Sequence, residues 1–354
     1  MRVLITGHNG YIGCVLVPMV QAAGHEVVGL DNYLFGECTF GQDVPDVASY
    51  RVDIRDVEPQ HLEGIDAIMH LAGLSNDPLG DLAAQATYDI NHLASVRLAE
   101  LAKKAGIERF IFSSSCSNYG AAGDDMLDEE SKFNPVTPYG ISKVKVEQDV
   151  SAMADDGFSP TFLRNATAYG VSARLRGDLV INNLTGYALT SGEVLLKSAG
   201  TSWRPLVHIE DISRAFVAAL HAPREKVHNQ AFNVGITAEN YRIRDVAEIV
   251  ADVVPNSVVK FAEGASPDLR NYNVRCDKIR EVLPEFQPTW TVRKGVEELY
   301  AAYVANELTY DEFVSDRYLR IKHVLKLRDN GRLSDDLRLT NPSTSNRPTD
   351  HARL

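Results

Sequence analysis

The chain is poor in cysteine, tryptophan and positive charge, and it has no long apolar run. Its four cysteines, Cys14, Cys38, Cys116 and Cys276, lie far apart and form no C-x-x-C pair. That spacing suggests neither a zinc site nor a disulfide framework; no metal is expected, and a reducing, cytoplasmic location is. No stretch reaches 18 apolar residues, which argues against a membrane span. Met1-Arg2 leads straight into Val3-Leu4-Ile5-Thr6 and a glycine motif, leaving no room for the apolar region of a secretion signal. The formal net charge of −12 disfavours nucleic acid or an acidic membrane as a partner. From Tyr310 onward nine Lys/Arg face seven Asp/Glu, so the acidic excess belongs to the first 309 residues. An anionic ligand would therefore need individually placed arginines rather than a global field.

What is present is an ordinary globular composition, 44% hydrophobic and 24% charged over 354 residues, enough for one large core or two modest ones. Short β-branched runs alternate with longer amphipathic stretches, the pattern of a parallel α/β sheet covered by helices. Strands are expected at 2–6, 26–30, 67–71, 109–113 and 161–164, with helices at 12–23, 90–105 and 140–155. Leu93, Val96, Leu98, Leu101 and Ala102 recur at helical spacing. No repeat of 20–50 residues is visible. Beyond about residue 170 the pattern is less regular, as suits a substrate-binding region, with sheet and helix resuming at 205–209, 211–220 and 231–234. The charged 310–339 segment is expected to be helical, and 340–354, rich in Asn, Ser, Thr and Pro, to be disordered.

The first strand opens into VLITGHNGYIG, with Gly7, Gly10 and Gly13 three apart, and Asn9, Tyr11 and Ile12 between them. A strand feeding a glycine-rich turn into a helix lets the backbone approach a pyrophosphate, and the helix N-terminus offers free N–H groups. Asp31 follows the second strand, 18 residues after Gly13, where a carboxylate accepts hydrogen bonds from a ribose diol. An acid there repels a 2′-phosphate, so NAD is favoured over NADP. Asn32 adjoins it, and Asp53-Ile54 after the next short strand is placed to address the adenine.

Tyr139 and Lys143 stand at i and i+4 on an expected helix that Pro138 suits as a start, so both project from one face. A free tyrosine titrates near pKa ~10. A neighbouring ammonium, helped by the positive nicotinamide, would lower that and make the phenol a usable base. Ser115, just past a strand, is placed to hydrogen-bond the reacting hydroxyl.

Together the segments TGHNGYIG (6–13), Asp31, Asp53-Ile54, HLAG (70–73), Asn91, SSSCSNYG (113–120), PYGISK (138–143), LRNATAYG (163–170), NNL (182–184) and WRPLVHIEDI (203–212) resemble the extended short-chain dehydrogenase/reductases. The likeness, strongest to the sugar-nucleotide epimerases and dehydratases, covers roughly residues 1–300. It implies a Rossmann-type doubly wound parallel sheet with a smaller, interleaved C-terminal substrate-binding domain. The dinucleotide-binding domain would take 1–170 plus about 205–236, and the sugar-nucleotide domain 171–204 plus about 237–309. The resemblance further implies NAD as cofactor and a nucleotide-diphosphate sugar as substrate. Ser115, Tyr139 and Lys143 would be the catalytic triad; Leu71, Ala72, Gly73, Ser113 and Asn91 would join the cofactor residues, Asn91 with a structural or water-relay role. Arg204, Asn183 and Arg270 match positions that reach phosphate or base, and Ser75, Asn76, Asp77, Cys116, Ser117 and Asn165 would stand beside the sugar. Arg174 and Arg176 either line the same pocket or cap the insertion, while His208 and Asp211 read as braces of a strand-to-helix turn. Family members commonly dimerise through the Asn91 and Tyr139 helices, so a homodimer is expected, and the tail beyond Tyr310, which departs from the family, reads as a solvated or subunit-crossing helix.

The two residues directly after Ser115 bear on the reaction class. The 4,6-dehydratases that the chain resembles carry Asp-Glu directly after the catalytic Ser/Thr, and the decarboxylases keep a Glu at the second position. Here those places hold Cys116 and Ser117. The cysteine of the 3,5-epimerising members lies one position further on, so Cys116 reads better as a small residue packed under the sugar. A 4-epimerase, needing only hydride transfer and Tyr139, is the expected activity. The alternatives are a 4-ketoreductase or dehydratase of the same family, and a silent dinucleotide sensor.

Overall fold

Seven parallel strands form the centre of the structure, a computed structural model that describes residues 1–41, 43–75, 77–266 and 270–340. They are β1 (Arg2–Thr6), β2 (Glu26–Asp31), β3 (Ser49–Arg51), β4 (Ala67–His70), β5 (Arg109–Ser115), β6 (Ser159–Asn165) and β7 (Gln230–Val234). Their spatial order is β7-β6-β5-β4-β1-β2-β3. The order reverses direction between β1 and β4, which is the switch point of a doubly wound sheet and the place where such sheets open a crevice. Strands buried on both faces read as continuous apolar runs: Val3, Leu4 and Ile5 are fully buried, as are Ala67, Ile68 and Met69.

Helices Gly13–Ala22 and Ile209–His221 cover one face, where Leu16, Val17, Val20, Ile212 and Phe216 pack against Val3, Ile5 and Met69. Ala94–Lys104 and Pro138–Ser151 cover the other, where Leu98, Ala102, Val146 and Val150 meet Leu4, Ile68 and Phe110. Leu93, expected on that buried stripe, is exposed. Five residues separate it from Leu98, about 500° of helical turn, which leaves the two side chains about 140° apart. The Tyr88–Leu93 segment is a π-helix continuing into Ala94–Lys104.

A second core gathers Leu184, Ala188, Val246, Val250, Val296 and Tyr303 from helices Val180–Ser191, Ile243–Val253 and Val292–Ala305. Beside it lie a three-stranded sheet of Asn240–Arg242, Trp203–His208 and Thr167–Tyr169, and two strand pairs, Glu193–Ser198 with Val258–Ser266 and Ala121–Leu127 with Asn271–Val274. His208 stacks on Trp290 at 3.8 Å, and Asp211 accepts the N–H groups of Thr289 and Trp290, which fixes the turn into Ile209–His221.

The last described segment differs from the continuous charged helix, solvated or subunit-crossing, expected of it. Only Tyr310–Phe313 and Arg320–Asp329 are helical, and the chain then turns back through a Leu333–Leu339 bridge. Val324, Leu327, Leu333 and Leu337 are buried with the main core, and Phe313 and Tyr318 with the second. The apolar spacing within this charged stretch is what folds it down. The region from 341 to 354, expected to be disordered, lies outside the described residues. Leu327→Ala should cost about 2–5 kcal/mol in chemical denaturation. Leu325→Ala, on the exposed side, should change stability by less than about 0.5 kcal/mol. Equal, negligible effects of the two would contradict the packed tail.

Candidate active site

A cleft of about 840 Å³ opens over the carboxyl ends of the central strands, where the switch point places it. One end is dictated by the turn after β1. An added Cβ on Gly13 would lie 2.3 Å from the Gly7 carbonyl oxygen, so the helix can start against the turn only without a side chain. A Cβ on Gly10 would meet Gly7 O at 3.1 Å and otherwise stand in space beside the cleft, which leaves the backbone open to a ligand. Asp31 lines the same end; its carboxylate accepts N–H bonds from Tyr33 at 2.7 Å and Asn9 at 3.2 Å. A carboxylate has about four acceptor positions, so capacity remains for a ribose diol. Glycine cradle and acidic strand end together fit a dinucleotide without a 2′-phosphate.

Gly7, Asn9, Gly10, Tyr11, Ile12, Gly13, Asp31, Asn32, Asp53, Ile54, Leu71, Ala72 and Gly73 all border this cleft. Asp53 does so with its carboxylate already taken by Arg55, through bonds of 2.8 and 2.7 Å. Asn91 does not border it, contrary to its expected place among the cofactor residues. It is buried beneath the loop after β4, accepting Leu74 N–H at 2.7 Å and donating to Leu74 O at 2.9 Å and Ser142 Oγ at 3.3 Å. It ties that loop to the Tyr139 helix.

The other half of the cleft holds Ser113, Ser115, Ser117, Tyr139, Lys143 and Asn165. Thr137 caps the Pro138–Ser151 helix by accepting Gly140 N–H, which puts Tyr139 in its first turn. Lys143 Nζ donates to Ser113 O at 2.7 Å and lies 5.8 Å from the Tyr139 ring centre. One turn on, Glu147 is buried with Arg164, whose guanidinium it meets at 2.8 Å, and it also accepts from Ser114 and Asn118. Burial pushes the Tyr139 phenol up to about 12, against a Ser115 hydrogen bond that pulls it down. Burial likewise brings Lys143 down to about 7, opposed by the nearby Glu147. For the phenol, loss of water outweighs both the Ser115 hydrogen bond and the Arg176 charge.

Cys116 does not face the sugar side. It is buried, with Sγ donating to Arg164 O at 3.1 Å, packed with Tyr119, Tyr272 and Cys276 beneath the cleft. The 3₁₀ turn Cys116–Tyr119 sends Cys116 inward and leaves Ser117 on the cleft wall. Among the described residues Ser117 Oγ and Asn165 Oδ1 have no hydrogen-bond partner, two buried polar atoms facing a polar ligand site.

Asn183, Arg204, Arg270 and Ser75 line the far side, and Asn76 lies outside the described residues. Arg204 donates to Trp203 O at 2.7 Å and sits over the Tyr272 ring; Asn183 Nδ2 donates to Gly177 O at 2.6 Å. Arg270 is paired with Asp77. Arg176 lines the cleft, bound to Asp178 and Ser75, whereas Arg174 braces the glycine turn through Asn9. Asp77, expected beside the sugar in the loop after HLAG, borders the cleft, as do Tyr272, which carries no motif signal, and Leu319–Lys322 from the tail. Among the described residues no helix is long and apolar enough to cross a membrane.

Comparison with known proteins agrees with this architecture. The chain is 30% identical over 282 residues to the UDP-glucose 4-epimerase of Neisseria meningitidis serogroup C, covering 70% of this chain and 80% of that one. The solved structure of MoeE5 in complex with UDP-glucuronic acid and NAD superposes with a TM-score of 0.75 at 25% identity, over 86% of this chain and 99% of that one. DesIV, a dTDP-glucose 4,6-dehydratase from Streptomyces venezuelae, shares the fold at 23% identity, with a TM-score of 0.76 over 88% of this chain and 100% of its own. Residues 3–235, the glycine turn and the Tyr139 helix included, match the profile of one family, and the chain belongs to it: the NAD dependent epimerase/dehydratase family.

Proposed function

We propose that the protein is a 4-epimerase of a nucleotide-diphosphate hexose. The observation that carries this reading is the wall after β5. Cys116 is turned inward and Ser117 alone faces the cleft, so the two positions where elimination needs an acid and a base hold neither. The resemblance of relatives named UDP-glucose 4-epimerase supports the same choice.

NAD, held by the glycine turn, Asp31 and Lys143, would supply the hydride acceptor and donor at sugar C4. Tyr139 Oη takes the proton of the sugar 4-hydroxyl as C4 is oxidised, and Ser115 Oγ steadies that hydroxyl through a hydrogen bond. The proton returns from Tyr139 Oη to the C4 oxygen once the keto sugar has turned about its pyrophosphate linkage. Arg204 and Asn183 hold the diphosphate end while the hexose turns. The raised phenol needs added positive charge to ionise near neutrality. Lys143 gives that only in its protonated form, which its lowered value makes half-available near pH 7.

A second reading has one observation behind it. Asp77 borders the cleft close enough to raise the Tyr139 phenol, and a carboxylate there is a candidate acid for dehydration. Its pairing with Arg270 and the hydrogen bond it accepts from Thr137 at 2.7 Å favour a positioning role instead.

Incubation with a panel of NDP-hexoses, UDP-glucose first, should give a C4 epimer of unchanged mass without added reductant. A product lighter by one water would sink the epimerase reading in favour of dehydration. Tyr139→Phe should lower turnover by about 10²–10⁴-fold while NAD binding, read by calorimetry, is kept; near-normal turnover would remove Tyr139 as the base.

Lys143 also gives a pH signature in the cofactor-free protein. Its folded value near 7 lies below the unfolded 10.5, so between those values the unfolded chain holds more protons and stability rises with pH. Stability is lost as pH falls through that window, and the loss is complete below pH 7. Lys143→Met should therefore be stabilised relative to wild type in urea unfolding at pH 7, and the gain should shrink by pH 9.5. A difference independent of pH would contradict a buried, depressed lysine.

A further inference from the structure

The tail is bound to the segments after β2 and β3. His323 Nε2 bonds Leu34 O at 2.9 Å, Arg317 Nε donates to Thr39 O at 2.7 Å, and Arg55 donates to Asp336 O and Leu337 O at 2.7 and 3.2 Å. These contacts bring Leu319–Lys322 and Leu337 onto the cleft wall beside Leu34, Phe35, Asp53 and Ile54. The cofactor end of the cleft is thus closed by a part of the chain beyond the 3–235 family match.

Arg320 is the residue of this wall that has chemistry to offer. It is 3% exposed, and its guanidinium lies 4.1 Å from the Phe35 ring centre. Nη2 donates to Arg174 O at 3.1 Å, while Nη1 has no partner among the described residues. The two neighbouring guanidiniums are committed: Arg174 to Asn9 and Gly36 O, Arg176 to Asp178 and Ser75. No described carboxylate forms an ion pair with Arg320. A buried cation with an open N–H and no directly paired carboxylate is costly unless an anion completes it. Arg320 borders the cleft, and Arg174 links it to Asn9 of the glycine turn.

We propose that Arg320, delivered by the C-terminal segment, is a ligand for the pyrophosphate of the bound dinucleotide. The inference rests on the cleft being the dinucleotide site. Phosphate oxygens accept the fork-shaped donor set that Arg320 presents. The Asp31 carboxylate at the same end opposes a 2′-phosphate, which leaves the pyrophosphate as the anion to be met. The Phe35 face holds the guanidinium plane in place before the ligand arrives.

The test uses the full chain stripped of cofactor and titrated by calorimetry with NAD, ADP-ribose, adenosine and NADP. Arg320→Met should weaken NAD and ADP-ribose by about tenfold or more, as expected for a lost charge-assisted bond, and leave adenosine unchanged. Melting of the unliganded variant checks that the tail stays folded. If Arg320→Met is unfolded, Arg320→Lys carries the test, because it keeps the charge and loses the fork; it should weaken NAD and ADP-ribose and spare adenosine. Unchanged NAD affinity in a folded variant overturns the proposal, and so does an equal loss for adenosine, which would mean a packing role. A loss confined to NADP would place the guanidinium at a 2′-phosphate and overturn it as well. Failure of the wild-type chain to bind NAD would instead remove the cleft reading, and this proposal with it.

Discussion

One buried stripe on a single helix holds the site together. Tyr139, Lys143 and Glu147 stand four residues apart on Pro138–Ser151, and the last two are fixed to different strands of the sheet. Lys143 is tied to the last turns of β5 through Ser113 O, and Glu147 to β6 through Arg164. The Glu147–Arg164 pair is nearly sealed from water, and each charge is tolerable only because the other is there. Tyr139 inherits its position from these two anchors. Ser114, Asn118, Tyr119 and Glu129 O take further bonds of the pair, which ties down the chain after β5 where it turns and sends Cys116 inward.

The parts legible in the sequence are those governed by local rules. Strand β1 falls where its apolar run predicts, and β2, β4 and β7 differ from expectation by a residue at one end. Strands buried on both faces announce themselves, and glycines with a close-contact role cannot be replaced. Residues whose role depends on which side of a single turn they occupy are not legible. Cys116 and Ser117 are neighbours, yet one is beneath the cleft and the other on its wall. The resemblance puts Asn91 at the cofactor site in a structural or water-relay role; it is buried beneath Leu74, within the π-helical turn Tyr88–Leu93 that no periodicity displays.

The tail shows a different limit. Its charge pattern hides the apolar positions Phe313, Tyr318, Val324, Leu327, Leu333 and Leu337, which pair with cores built far earlier in the chain. A helix of mixed charge can be solvated or docked, and only the partner surface decides. Here that surface is the loop after β2, so the segment that resembles the family least closes its most recognisable site. The acidic chain thereby gathers cations where an anionic ligand would lie: Arg176, Arg204, Arg270 and Arg320 all border one cleft.

The central claim is that hydride leaves sugar C4 and returns to the same carbon on its opposite face. An NDP-hexose carrying deuterium at C4 tests this most directly, with product position read by NMR and mass spectrometry. The account predicts an inverted C4 that still carries the deuterium, with no net reduced dinucleotide released. Deuterium found at C6 of a product lighter by one water, or washed out to solvent, would contradict it.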